Sequence, residues 1–281
     1  MKILRTPASV VRIRRSVPRP LVLVPTMGAL HEGHLTLIRK ARALAGPKGT
    51  VAVSVFVNPT QFGPKEDFSK YPRPISEDIA KCEAEGVDLL FNPKPEDFYE
   101  PDASTWVNET ALSTGLCGKS RPIHFRGVCT VVSKLINLFQ ADIGVFGKKD
   151  YQQLAILRRM VRDLDMPVKL VGVEIHREPD GLAMSSRNRY LSPKERSEAL
   201  ILRRSLVDAR KAAKAGLRSP AKLRDLVAQT IATSPIAKID YVEAVDAESL
   251  ALPGPKTRKL LIAVAVAFGK TRLIDNIEIS L

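Results

Sequence analysis

The chain has 281 residues, 44% hydrophobic and 26% charged, with Lys+Arg 44 against Asp+Glu 30 and a formal net charge of +14. That length buries a sizeable core in one large domain or two smaller ones, and the composition is that of a globular protein, not a disordered or fibrous one. The longest apolar run, Leu260–Phe268, is about half the length of a membrane-spanning helix, and 5% aromatic residues without an interleaved basic stripe offer no stacking platform for nucleic acid, so neither a membrane nor a nucleic acid is an expected partner.

The first residues carry Arg5, Arg12, Arg14, Arg15 and Arg19 and no acid before Glu32. This reads as an ordinary helix or arm leading into the first strand, in preference to an organellar leader. Apolar runs at Leu21–Val24, Val51–Val57, Val87–Phe91, Ile143–Phe146 and Val168–Val173 predict buried strands. Between them, the apolar spacing predicts helices over Leu35–Ala45, Ile75–Glu85, Val128–Phe139 and Tyr151–Leu164. The alternation predicts an α/β domain with a parallel sheet covered on both faces, whose ligand crevice lies beyond the carboxyl ends of the strands. After His176 the texture changes. Asp180-Gly181 signals a turn, and Ser192-Pro193 opens a long polar helix, Lys194–Ala215, which Gly216 ends. A helix over Ala221–Thr230 and strands over Ile239–Val245, Lys259–Phe268 and Arg272–Ile279 complete a smaller α+β unit, so the chain divides into residues 1–176 and 177–281. Cys82, Cys117 and Cys129 are odd in number and lack metal-binding spacing, which fits reduced thiols in the cytoplasm.

Pro25-Thr26-Met27-Gly28-Ala29-Leu30-His31-Glu32-Gly33-His34 is the most informative segment. A strand turning through glycines into a helix aims unpaired N–H groups and the positive end of the helix dipole at one spot. His31 and His34, three residues apart on the first turn, add donors suited to a nucleotide's phosphates. No third ligand in register supports a zinc site there. Asn58 and Gln61 lie in a polar loop after the second strand, with amides that both donate and accept, as a hydroxylated carboxylate requires. Gly147-Lys148-Lys149-Asp150 is another strand-to-helix turn: Lys149 can neutralise phosphate, Asp150 can cap the helix or hold a ribose hydroxyl or a metal, and Gln153 follows one turn later. Met184-Ser185-Ser186-Arg187 sits at the domain junction and suits a closing phosphate clamp. Arg121, His124 and Arg126 either bind an anion or cap the helix they precede.

Taken in order, Pro25–His34, Asn58–Gly63, Tyr71-Pro72-Arg73, His124–Val128, Gly147–Gln153, Asp180–Arg189 and Leu273–Asn276 resemble the pantothenate synthetase (pantoate–β-alanine ligase, AMP-forming) family. The resemblance implies a Rossmann-like fold of the HxGH nucleotidyltransferase type, with Met184–Arg187 as a variant of the mobile loop of class I aminoacyl-tRNA synthetases. It implies that pantoate attacks the α-phosphorus of Mg-ATP to form pantoyl adenylate, and that β-alanine then displaces AMP. It would place ATP on Met27–His34 (Met27, Gly28, Ala29, Leu30, His31, Glu32, Gly33 and His34), on Gly147–Asp150 with Lys149 at the phosphates, on His176 and on Met184–Arg187. Here His176 stands where the family usually has a small apolar residue beside adenine. Gln61 and Gln153, with Asn58 beside them, would hold pantoate, and Gln61 would also touch β-alanine. His34, His31, Lys149 and Arg187 would stabilise the reacting charge. Glu77 and Asp78 stand where the family's acidic, Mg2+-associated cluster falls. A homodimer is implied as well.

Overall fold

A computed structural model describes residues 1–64, 66 and 68–281. The first two thirds run β1 (Lys2–Leu4), α1 (Pro7–Ile13), β2 (Leu21–Thr26), α2 (Glu32–Ala45), β3 (Thr50–Val55), α3 (Ile75–Ala84), β4 (Leu89–Phe91), α4 (Pro95–Phe98), α5 (Cys117–Ser120), α6 (His124–Phe139), β5 (Ile143–Gly147), α7 (Tyr151–Asp163) and β6 (Lys169–Val173). The remainder comprises α8 (Pro193–Ala199), α9 (Ile201–Lys214), α10 (Pro220–Ala232), β7 (Ala237–Asp246), β8 (Lys259–Phe268) and β9 (Thr271–Ser280).

β1 to β6 form a wholly parallel sheet in the order β1-β4-β3-β2-β5-β6. The chain builds outward from β2 through β3 to β4, then returns to place β5 on the other side of β2. The order therefore reverses between β2 and β5, where the crevice of an open α/β sheet forms. Alternation along β2 explains why both faces are covered. Leu21 and Leu23 enter the core made with α1, α6 and α7, while Val22 and Val24 enter the core made with α2 and α3. Residues of period two buried on both sides produce the uninterrupted apolar runs of the sequence.

β7, β8 and β9 form an antiparallel meander. Leu260, Ile262, Val264 and Val266 of β8 meet Leu206 of α9 and Val227 of α10 on one face. On the other, Leu261 and Ala263 pack with Leu116 and Tyr151, which seats this sheet against the parallel-sheet domain. The predicted helix Lys194–Ala215 is interrupted: Leu200 (φ −61°, ψ −21°) separates α8 from α9, its ψ shifted toward the tighter 3₁₀ geometry. Its start is as expected, with Ser192 and Glu195 closing a capping box ahead of Pro193. β1 has no counterpart among the predicted strands. It pairs with β4 over Lys2–Leu4 at the sheet's edge and is too short to show a period.

Candidate active site

A cavity of about 240 Å³ opens at the carboxyl ends of β2 and β5. Its first wall is the turn between β2 and α2. The Thr26 hydroxyl donates to the Ser54 carbonyl (2.7 Å) and accepts from the Gly28 N–H (3.2 Å). Gly28 has φ +79°, and a Cβ there would lie 2.8 Å from a carboxylate oxygen of Asp78, so the turn requires glycine for conformation and for space. Asp78 is 1% exposed. Its two oxygens accept from Ala29 N–H (2.9 Å) and Leu30 N–H (2.7 Å), and Lys81 donates to the Leu30 carbonyl (2.7 Å). α3 thus pins the turn from beneath.

His31 caps α2, and its own N–H donates to Nδ1 of His34 at 3.3 Å. The two rings lie 4.1 Å apart. An accepting Nδ1 puts the proton of neutral His34 on Nε2, the nitrogen left to serve the cavity as a donor. Burial, followed by the proximity of Lys149 and His176, lowers the His31 pKa to about 4. Burial, then His31 and Lys149, lowers His34 to about 3. Both imidazoles are therefore neutral at pH 7 in this structure, each with one N–H to donate. The Gly33 N–H points at the thioether sulfur of Met184, 3.2 Å away, which joins this turn to the 184–187 loop.

The second wall is the turn after β5, where Gly147, Lys149 and Asp150 line the cavity with Gln153 of α7. His176 and the segment Met184-Ser185-Ser186-Arg187 form the third. Ser185 caps the short turn that follows by accepting the Arg187 N–H at 3.2 Å. The fourth combines Gln61 with Arg121 and His124, over an apolar floor of Val128, Val131, Val132 and Leu135 on α6. His124 meets the Gln61 carbonyl at 3.0 Å through Nδ1, and burial lowers its pKa to about 4. Arg121 donates to the same carbonyl at 3.3 Å and pairs with Glu66 at 2.6 and 2.7 Å. Within this segment Arg121 and His124 face the cavity, whereas Arg126 lies over the Trp106 ring, 4.8 Å from its centroid.

The cavity lining takes in part of the expected set. Met27, His31, Gly33 and His34 line the cavity, but Gly28, Ala29, Leu30 and Glu32 do not. Ala29 and Leu30 are core residues, and Glu32 turns outward to Arg39. Lys148 turns away from Lys149 to pair with Glu174 and Glu278. Asn58 is 1% exposed and does not reach the cavity. Its Nδ2 donates to Gln61 Oε1 (2.9 Å) and to the Gly127 carbonyl (3.2 Å), while Oδ1 accepts from Tyr99 (3.0 Å) and Thr60. It thereby fixes the orientation of the Gln61 amide. α6 can approach this turn because Gly127 has no side chain; a Cβ there would sit 2.8 Å from the Gln61 nitrogen.

The acidic pair does not fit a metal. Asp78 commits both oxygens to backbone N–H groups, and Glu77 faces solvent with Lys81 at 3.7 Å. Among the described residues no group of three or more His, Cys, Asp or Glu could hold an ion. Acidity was legible in the sequence; the direction in which it points depends on α3 packing under the β2–α2 turn.

The chain is similar over nearly its whole length to proteins of one family. The pantoate-beta-alanine ligase family model matches residues 2–278. The pantothenate synthetase of Enterococcus faecalis is 54% identical over 259 residues, 92% of this chain and 91% of that protein. That of Thermotoga neapolitana is 52% identical over 262 residues, 93% and 92% of the two chains. The crystal structure of pantothenate synthetase from Thermus thermophilus superposes with a TM-score of 0.93 at 43% identity, covering 100% of both chains. A Francisella tularensis pantoate-beta-alanine ligase, solved with beta-gamma ATP and beta-alanine, gives a TM-score of 0.79 at 32% identity over 99% of this chain and 97% of that one. By sequence along nearly its whole length and by fold, the chain belongs to the pantoate–β-alanine ligase family.

Proposed function

We propose that this cavity joins pantoate to β-alanine in two steps, with ATP consumed in the first. The pantoate carboxylate attacks the α-phosphorus of ATP, pyrophosphate leaves, and pantoyl adenylate remains. The β-alanine amine then attacks the acyl carbon, and AMP leaves. ATP-dependent ligation of pantoate and β-alanine is the activity of the family; the ordered adenylate route and the residue roles are our reading. The observation that carries it is the lining of one cavity: His31, His34 and Lys149, as a triphosphate needs, share it with Gln61, Gln153 and a valine floor, as a dihydroxy acid with a dimethylated carbon needs.

In this arrangement Lys149 balances phosphate charge, and the Nε2–H of neutral His34 follows the charge that moves onto the leaving pyrophosphate. Met184–Arg187 closes the nucleotide side. Gln61 and Gln153 hold the pantoate oxygens, with Gln61 also near the incoming β-alanine. Orienting carboxylate and phosphorus supplies much of the rate, so no nucleophilic side chain is required. We assign Mg2+ to the MgATP substrate, since it commonly binds through phosphates with few protein ligands. Two further expectations belong to the same reading. The unpaired thiols Cys82, Cys117 and Cys129 support a cytoplasmic location, and the family resemblance supports a homodimer.

The test is pyrophosphate release from MgATP and pantoate, without and then with β-alanine. The expected result is a stoichiometric release that turns over once β-alanine is added. Absence of pantoate-dependent release from folded protein would overturn the assignment in favour of another acid substrate for the same nucleotide site.

A further inference from the structure

Alternation along β9 sends Leu273, Ile277 and Ile279 into the core beneath α9 and α10. Asp275 stands in that same row, yet it is a carboxylate, 3% exposed. The opposite row faces the parallel-sheet domain. There Asn276, also buried, donates both hydrogens of its amide: one to the Lys148 carbonyl and one to the Lys149 carbonyl, each at 3.0 Å. Asp275 grips Arg177 through two hydrogen bonds of 2.7 and 2.8 Å, and Arg177 donates onward to the Gly181 carbonyl at 3.1 Å. That pair secures the hairpin in which Arg177 bridges Ala183, immediately before Met184.

Burying polar groups is costly unless each finds a partner. Both do so here: Asp275 accepts the Asn276 N–H of its own strand at 2.8 Å, and the remaining partners of the two side chains lie outside the sheet of β9. An apolar residue could fill either position; it could not fix the backbone of a loop. We propose that Asp275 and Asn276 are positioning residues that hold two walls of the nucleotide cavity in register, Asn276 fixing the turn that carries Lys149 and Asp275 fixing the hairpin that leads into Met184–Arg187. The inference rests on the reading of those walls as phosphate-facing.

A mutant cycle tests it. Asn276→Ala, Lys149→Ala and the double variant are compared by kcat/KM for ATP in pantoate-dependent pyrophosphate release, with KM for pantoate and the thermal midpoint as controls. Asn276→Ala alone is expected to lower kcat/KM for ATP by roughly 10- to 30-fold, the scale of two lost hydrogen bonds, and to leave KM for pantoate within about twofold. On the Lys149→Ala background the same change is expected to cost less than about threefold, because a residue acting through Lys149 has nothing left to position. Factors that multiply in the double variant, or an equal rise in both KM values, would overturn the proposal and leave Lys149 in place. A harmless Lys149→Ala would overturn the reading of Lys149 and this proposal with it. Should Asn276→Ala not fold, Asn276→Ser runs the same cycle; Asp275→Asn against Arg187→Ala is judged by the same criterion.

Discussion

The turns after β2 and β5 flank the same switch point, but they are anchored from opposite directions. The first is built within its own domain: Thr26 ties it to β3, and Asp78 and Lys81 of α3 hold its backbone from below. The second has its carbonyls held by Asn276, from a strand of the other domain. The histidine wall of the cavity is therefore held by contacts within the parallel sheet and its helices, whereas the lysine wall is held by a strand of the antiparallel sheet. One cavity thus combines two walls that answer to different sheets.

Removing the charge-bearing groups themselves has the largest expected effect. His34→Ala and Lys149→Ala are each expected to lower pantoate-dependent adenylation by roughly 10²–10³ without loss of fold, the scale for a preorganised donor at a developing charge. Pyrophosphate release with circular dichroism as a control checks this, and near-wild-type activity in either variant removes that residue from the mechanism. Next in size is Asp78→Ala, which strands two backbone N–H groups. It is expected to destabilise the chain by about 3 kcal/mol, from charge-assisted hydrogen bonds, and to slow adenylation while the pantoate KM holds. Unchanged chemical denaturation would show that the β2–α2 turn does not need its inner anchor.

The smallest effect is on the pH dependence of stability. His31, His34 and His124 have folded pKa values lowered to about 4, 3 and 4 by burial. Below the ordinary value near 6.5 the unfolded chain binds protons that the folded chain refuses. Stability is thus full above about pH 6.5 and falls as pH drops toward 4. Thermal midpoints are expected to decline by roughly 10 °C between pH 7 and 5, and His34→Asn to flatten the decline. A midpoint that rises on acidification would contradict the buried, neutral imidazoles.

The architecture was legible because β2, β3 and β5 are buried on both faces and write themselves as continuous apolar runs, while α2, α6 and α7 keep a helical stripe. β1 was not, since Lys2–Leu4 is short and gains its identity from pairing with β4. At the site, residue type disclosed the chemistry and concealed direction. Lys148 and Lys149 are indistinguishable in sequence, but the first turns to Glu174 and Glu278. Likewise Gln153 lines the cavity, whereas its neighbour Gln152 donates to the carbonyls of Leu112 and Gly115, both at 2.8 Å. One sequence signal could have found the braces on β9: an acid in the middle of an apolar row, at Asp275.

The contact between Gly33 and Met184 has a bearing on how readily the cavity fills. Helix N-termini in water usually give up well-bound solvent before accepting an anion. Here the N–H that would greet a phosphate oxygen is instead occupied by a thioether, one of the weakest acceptors a protein possesses. On the proposed reading a phosphate oxygen arriving at this N–H would have only that weak acceptor to displace, and the same contact ties the β2–α2 turn to the 184–187 segment.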